Sequence, residues 1–175
     1  LVYQKIFGWV LIRSLSQRVG SFFVLMKFST LDCMKADFDN LCKRAFSQGA
    51  GIPELNELWG NVFLLQNWLF IARGPVNQPQ PYIASRADVC NGQDMIRAFT
   101  DDQKLTAFAH ENKLVEADGS VRSLAIPVQS VVSWLEGFGQ YGIYGVWFNS
   151  DTKSQGFYSP LVQLRPVKDH LDKTW

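Results

Sequence analysis

The sequence predicts an α+β domain: a small mixed or antiparallel sheet of about five strands, flanked by helices and led by an N-terminal helical hairpin. Three observations carry this expectation. Phe38, Leu41, Cys42, Ala45 and Phe46, and then Leu55, Leu58, Trp59, Val62 and Phe63, repeat the i, i+3, i+4, i+7, i+8 spacing of one helical stripe. The runs at 68–72 and 141–148 are short, apolar and rich in aromatic and β-branched residues, as strands are. Two strand-to-helix turns follow: Ala98-Phe99-Thr100 leads into Asp101, and Leu124-Ala125-Ile126 leads into Pro127.

Composition fits one such domain. A chain of 175 residues buries a full core without disulfide or metal staples, and 47% hydrophobic against 19% charged content marks a globular protein. A formal net charge of +1 argues against a dedicated nucleic-acid binder, which carries a basic excess. Cys33, Cys42 and Cys90 are far apart, show no C-x-x-C spacing and are odd in number, so they read as reduced, buried thiols.

Residues 1–34 stand apart from the domain, which is expected at 35–175. Through residue 28 the only charges are Lys5, Arg13, Arg18 and Lys27, and the first acid is Asp32. The apolar runs at 6–12 and 22–26 are each far short of the ~20 residues that span a bilayer. No signal-peptide pattern stands out. Three readings stay open: upstream sequence read through in frame, with Met26 or Met34 as the start; a basic amphipathic segment on a membrane surface; or an extra helix packed on the domain.

The domain opens with Asp37 as a helix N-cap. Gly49-Ala50-Gly51 ends the first helix and Pro53 fits the first turn of the second. Asn67 marks a change of period, and the near-continuous apolar run at 68–72 predicts a strand buried on both faces. Residues 74–81, with three prolines and a glycine, read as a loop. Asn91-Gly92 predicts a type I′ turn joining hairpin arms at 82–90 and 93–99. In the second arm Met95, Arg97 and Phe99 alternate with Asp94, Ile96 and Ala98, which leaves the buried face open.

Thr100 and Gln103 have the spacing of a capping box, and Asp101 and Asp102 suit the positive end of the helix they start. Leu105, Phe108 and Ala109 face inward, and His110 falls at the helix end that favours a cation. After the Asp118-Gly119 turn, Pro127 opens a helix whose buried side is Val128, Val131, Val132 and Leu135. Gly137 and Gly139 stop it. The strand expected at 141–148 is interrupted by Gly142 and Gly145, where another backbone approaches or a bulge forms. A polar loop at 149–156 and a strand end at Phe157-Tyr158 follow. The tail, with Leu161, Leu164, Val167 and Leu171 at helical spacing, reads as a helix that Pro166 kinks or shortens.

In this order, Ala98-Phe99-Thr100-Asp101, Leu124-Ala125-Ile126-Pro127-Val128, Phe148-Asn149 and Phe157-Tyr158-Ser159-Pro160 resemble the SseB family (enhanced serine sensitivity protein B), especially its N-terminal domain. The similarity covers residues 37–171. The chain departs from it in its first 34 residues and in a longer 149–155 loop. The resemblance implies a small soluble α+β domain, bacterial and cytoplasmic, and brings no reaction, catalytic residue or cofactor with it.

The residues themselves point the same way. Two histidines, scattered acids and dispersed cysteines make no triad, metal cluster or phosphate loop, so no catalytic, cofactor or metal site is expected. The expected role is a non-catalytic protein-binding or regulatory module acting on a protein partner or on a second copy of the chain. Tyr141, Tyr144, Trp147, Phe157 and Tyr158 are its candidate contact residues, since aromatics give large contact area with few rotors. No nucleic acid is expected, and membrane contact only if residues 1–28 form an amphipathic segment. Two alternatives remain. One is an enzyme or small-ligand protein with a polar pocket drawn from Asp101, Asp102, His110, Glu111 and Asn149. The other is an immunity or inhibitor-type protein.

Overall fold

A computed structural model describes residues 37–150 and 156–174. The three readings of the N-terminal segment, Met26 and Met34 as starts, Cys33 and most of the 149–156 loop lie outside the described residues.

Helices α1 (Phe38–Ala45) and α2 (Ile52–Phe63) form the expected hairpin. The Asp37 carboxylate caps α1 by accepting from the Asn40 N–H at 3.1 Å. Glu54 reaches back to the Gly51 N–H at 2.9 Å, the returning half of a capping box. The α1 stripe is narrower than its spacing predicted. Phe38, Leu41 and Ala45 are buried, whereas Phe46 has left the helix as its C-cap and is exposed.

The sheet comprises β1 (Asn67–Arg73), β2 (Gln80–Pro81), β3 (Ile83–Ala84), β4 (Met95–Phe99), β5 (Ser123–Pro127), β6 (Gly145–Phe148) and β7 (Phe157–Pro160). Among the described residues its main path runs β2-β1-β4-β6-β7, with β3 also on β4 and β5 also on β1. It is a mixed sheet: β4 and β6 are parallel and the other pairs antiparallel. The unexpected strand is the two-residue β2, which falls in the segment read as a loop, while β3 is all that forms of the arm expected at 82–90.

Helices α3 (Asp102–Glu111), α4 (Val128–Glu136) and α5 (Leu161–Thr174) complete the layers. One sheet face, through Trp68, Phe70, Ile96, Ala98, Val146, Phe148 and Phe157, packs with α1, α2, α4 and α5 into the larger core. The other face, through Ile71 and Phe99, packs against Leu105, Phe108 and Ala109 of α3. The strand expected to be buried on both faces is therefore β1, and its residues serve the two cores alternately.

Several local expectations are corrected. The segment at 82–99 does pair antiparallel, but only through Ile83 with Ile96 and Ala84 with Met95. Asn91 and Gly92 do take positive φ, at 57° and 73°, yet within a 3₁₀ turn at Cys90–Gly92 in a long connection rather than a two-residue hairpin turn. The α3 cap is Asp101, not Thr100: Asp101 accepts from the Lys104 N–H at 3.0 Å, and Thr100 is engaged elsewhere. The strand expected at 141–148 begins only at Gly145, because Gly139–Tyr141 forms a 3₁₀ turn closed by Gly142 at φ 78°. Gly145 is the predicted close approach, since a Cβ there would lie 2.5 Å from the Ser159 carbonyl oxygen. Pro166 sits inside α5 without shortening it.

Candidate functional site

Residues 97, 147 and 158 fall opposite one another on three neighbouring strands. Arg97 of β4 is the register partner of Trp147 of β6, and Trp147 is the register partner of Tyr158 of β7. Their neighbours in sequence, Ala98, Phe148 and Phe157, point into the larger core, so this row lies on the α3 face. The row runs from a buried cation through a buried ring to an exposed phenol at the sheet edge.

Arg97 is 3% exposed. Its guanidinium carbon lies 4.0 Å from the centroid of the Trp147 ring, and that of Arg86 lies 5.9 Å from the same ring. Its one side-chain hydrogen bond among the described residues is long, from Nη2 to the Ala84 carbonyl at 3.3 Å. Nε and Nη1, both buried, have no partner. Burial, and to a lesser degree the Arg86 charge, lowers the Arg97 pKa to about 10, with the nearby Tyr82 opposing them. The side chain therefore stays a cation at neutral pH.

Arg97 lines a cavity of about 310 Å³ together with Tyr82, Arg86, Phe108, Asn112 and Ser150. The Ser150 hydroxyl is also buried without a partner. Asn112 donates to the Phe108 carbonyl at 2.8 Å, and Arg86 is paired to Asp88 at 2.8 Å. Such a site has positive charge and hydrogen-bond donors to offer, and among the described residues no carboxylate or imidazole lines it to accept a proton.

A larger cavity of about 390 Å³ adjoins it, with Phe108 and Ser150 on both walls. Two of its charges are matched to each other: Lys104 contacts both Asp39 oxygens, at 2.7 and 2.9 Å. Its thiol is disarmed. Burial first, and the Asp39 charge second, push Cys42 up to about 12, with Lys104 pulling the other way.

The polar candidates come together only in pairs: Glu111 and Asn149 both line the 390 Å³ cavity, Asp101 and Asp102 share another, and His110 lines neither. Asp101 caps α3, while Asp102, His110 and Glu111 are exposed along it. Asn149 is a structural clasp. Its Oδ1 accepts from the Thr100 N–H at 3.0 Å and its Nδ2 donates to the Thr100 hydroxyl at 3.0 Å, locking the ends of β4 and β6 together. Among the described residues no three His, Cys, Asp or Glu side chains gather as metal ligands, and no helix is long and apolar enough to cross a membrane.

The aromatic candidates divide. Tyr141 is 74% and Tyr158 45% exposed, and Tyr144 is half-buried. Trp147 and Phe157 are buried, so their rings are not offered to a partner; Phe157 instead stacks on Phe148 at 5.0 Å. Tyr158 lies beside Cys90, whose hydrogen bond is the chief cause raising the phenol's pKa. Arg97 was missed as a functional candidate. The available signal was a charge inside the otherwise apolar run Met95-Ile96-Arg97-Ala98-Phe99.

No family model matches this chain, and no curated protein matches it in sequence. The SseB resemblance therefore rests on its short motifs. Two of these, Ala98-Phe99-Thr100-Asp101 and Phe148-Asn149, meet at the Thr100–Asn149 clasp, where they do structural work.

Proposed function

We propose that this domain is a non-catalytic recognition module that acts by contact with a protein partner or a second copy of itself. The observation that carries the reading is the placement of Tyr158. It is exposed on β7, which ends the main path of the sheet among the described residues, and it continues a row whose inner members are a buried tryptophan and a buried arginine. An edge strand with an exposed aromatic offers both backbone groups and contact area. Tyr141, exposed on the turn before β6, is a second contact candidate. The bacterial, cytoplasmic setting implied by the SseB resemblance is part of the same proposal, and the free thiols Cys42 and Cys90 are compatible with it.

The test compares the intact chain with Tyr158→Ala and Tyr141→Ala, each immobilised and challenged with a native lysate, and each run alone by light scattering. The reading expects a retained protein, or a dimer, that wild type holds at least about tenfold more strongly than Tyr158→Ala. Retention and mass unchanged by both substitutions would contradict it. A second reading, a small-ligand-binding protein, is favoured by one observation: the unpaired Arg97 guanidinium at the 310 Å³ cavity.

A further inference from the structure

We infer that the Arg97 cavity is a binding site for a small organic oxyanion, a carboxylate or a phosphate monoester. The argument begins with what burial does to a guanidinium. Buried charges in proteins are paired and hydrogen-bonded, because removing a cation from water without compensation is costly. Arg97 is almost fully buried, yet Nε and Nη1, which together carry three of the five N–H donors of any guanidinium, have no acceptor. Among the described residues no carboxylate is hydrogen-bonded to it. What it has is one long bond to the Ala84 carbonyl and the face of Trp147. Stacking on an aromatic face leaves the in-plane N–H groups free to donate.

Arg97 lines a cavity, and its orphan nitrogens sit just behind that wall with almost no accessible surface, so an anion reaches them when the guanidinium turns on the Trp147 face. The same cavity holds a second orphan, the buried Ser150 hydroxyl, and at its wall stands Arg86, whose charge Asp88 already pairs at 2.8 Å. An oxyanion answers both orphans at once: it accepts from Arg97, accepts from Ser150 and is attracted by the Arg97 charge. Two of the remaining lining residues, Tyr82 and Phe108 with ring centroids 6.2 Å apart, are aromatic and suit an organic body attached to the anion. A metal ion is the wrong occupant, since donors and cations line the site. The inference is independent of the protein-partner reading: a small anion can bind whether or not Tyr158 contacts a protein.

The experiment measures the thermal unfolding midpoint of the full chain at pH 7 and constant ionic strength, replacing chloride in turn by inorganic phosphate, phenyl phosphate, acetate and benzoate. The arms separate phosphate from carboxylate and the anion from its aromatic body. At about ten times Kd the midpoint should rise by roughly 3 °C for at least one of these anions. Arg97→Met should abolish the rise, and Ser150→Ala should weaken binding by about tenfold. Arg97→Lys, which keeps the charge but loses the planar fork, provides a second reading if Arg97→Met folds poorly, and it should weaken binding at least about tenfold. Equal midpoints in all anions, or a rise that survives both Arg97 substitutions, would overturn the inference. Loss of partner retention in Tyr158→Ala with anion binding intact would leave both proposals standing separately.

Discussion

The Arg97 guanidinium lies 4.0 Å from the Trp147 ring centroid, and the two residues are register partners on adjacent parallel strands. The ring is therefore fixed beneath the cation by the backbone pairing itself. Cation–π attraction of a desolvated pair is worth up to about 2 kcal/mol, which offsets part of the burial cost. A deficit remains, as the lowered Arg97 pKa of about 10 indicates.

From that deficit comes the first prediction. Arg97→Met retains most of the volume and removes the buried charge, so stability in urea should change by less than about 1 kcal/mol, or rise. Arg97→Ala leaves a void over Trp147 and should lose about 2 kcal/mol or more. If Arg97→Met were instead the more damaging change, the guanidinium would be better satisfied than its geometry implies.

The Thr100–Asn149 clasp makes a second case. Asn149→Ala leaves the buried Thr100 N–H without an acceptor and places alanine at φ 48°, so a loss of about 2 kcal/mol is expected. Asn149→Gly relieves the backbone part only and should lie between the two. Equilibrium denaturation of all three proteins checks the order.

Gly145 tests the packing of β6 against β7. The Cβ of Gly145→Ala would stand 2.5 Å from one backbone oxygen and 3.2 Å from its carbon, both in Ser159, so two paired strands must part. A midpoint drop well beyond that of Gly139→Ala is expected, because a Cβ at Gly139 meets nothing within 4 Å. Similar midpoints for the two variants would show that the strands separate easily.

Cys42 gives a pH prediction. With the thiol raised from 9.0 to about 12, only on the order of one molecule in ten thousand or fewer holds a thiolate at pH 7.5. Iodoacetamide labelling of Cys42, read by peptide mass spectrometry, should be far slower than for a free thiol and should keep climbing past pH 10. The sign for stability follows: the folded state retains this proton more tightly. Its contribution is complete below pH 9 and is lost as pH rises toward 12. A labelling plateau near pH 9 would place Cys42 in water.

Much of the fold was legible because periodicity reports burial. The stripe of α4, those of α1 and α2 apart from the exposed Phe46 and Leu55, the doubly buried β1 and the cap at Asp37 follow from spacing or local chemistry. What failed was local geometry decided by distant partners. Thr100 has the hydroxyl of an N-cap, but Asn149, 49 residues away, engages it and Asp101 takes the cap. Asn91-Gly92 takes the backbone of a tight turn, but the strands it would join pair only at their far ends. The site was less legible than the fold. Exposure of Tyr158 against burial of Phe157 depends on which face of β7 meets the core, and Arg97 becomes notable only when its missing partners are counted.

The most direct measurement is the ¹H–¹⁵N correlation of the Arg97 Nε–H group during titration with phenyl phosphate and benzoate at constant ionic strength. The account predicts a saturable shift of that signal, slowed exchange with water, and the same Kd from the Ser150 backbone amide. An Arg97 signal that stays in place while exposed arginine signals move would contradict it.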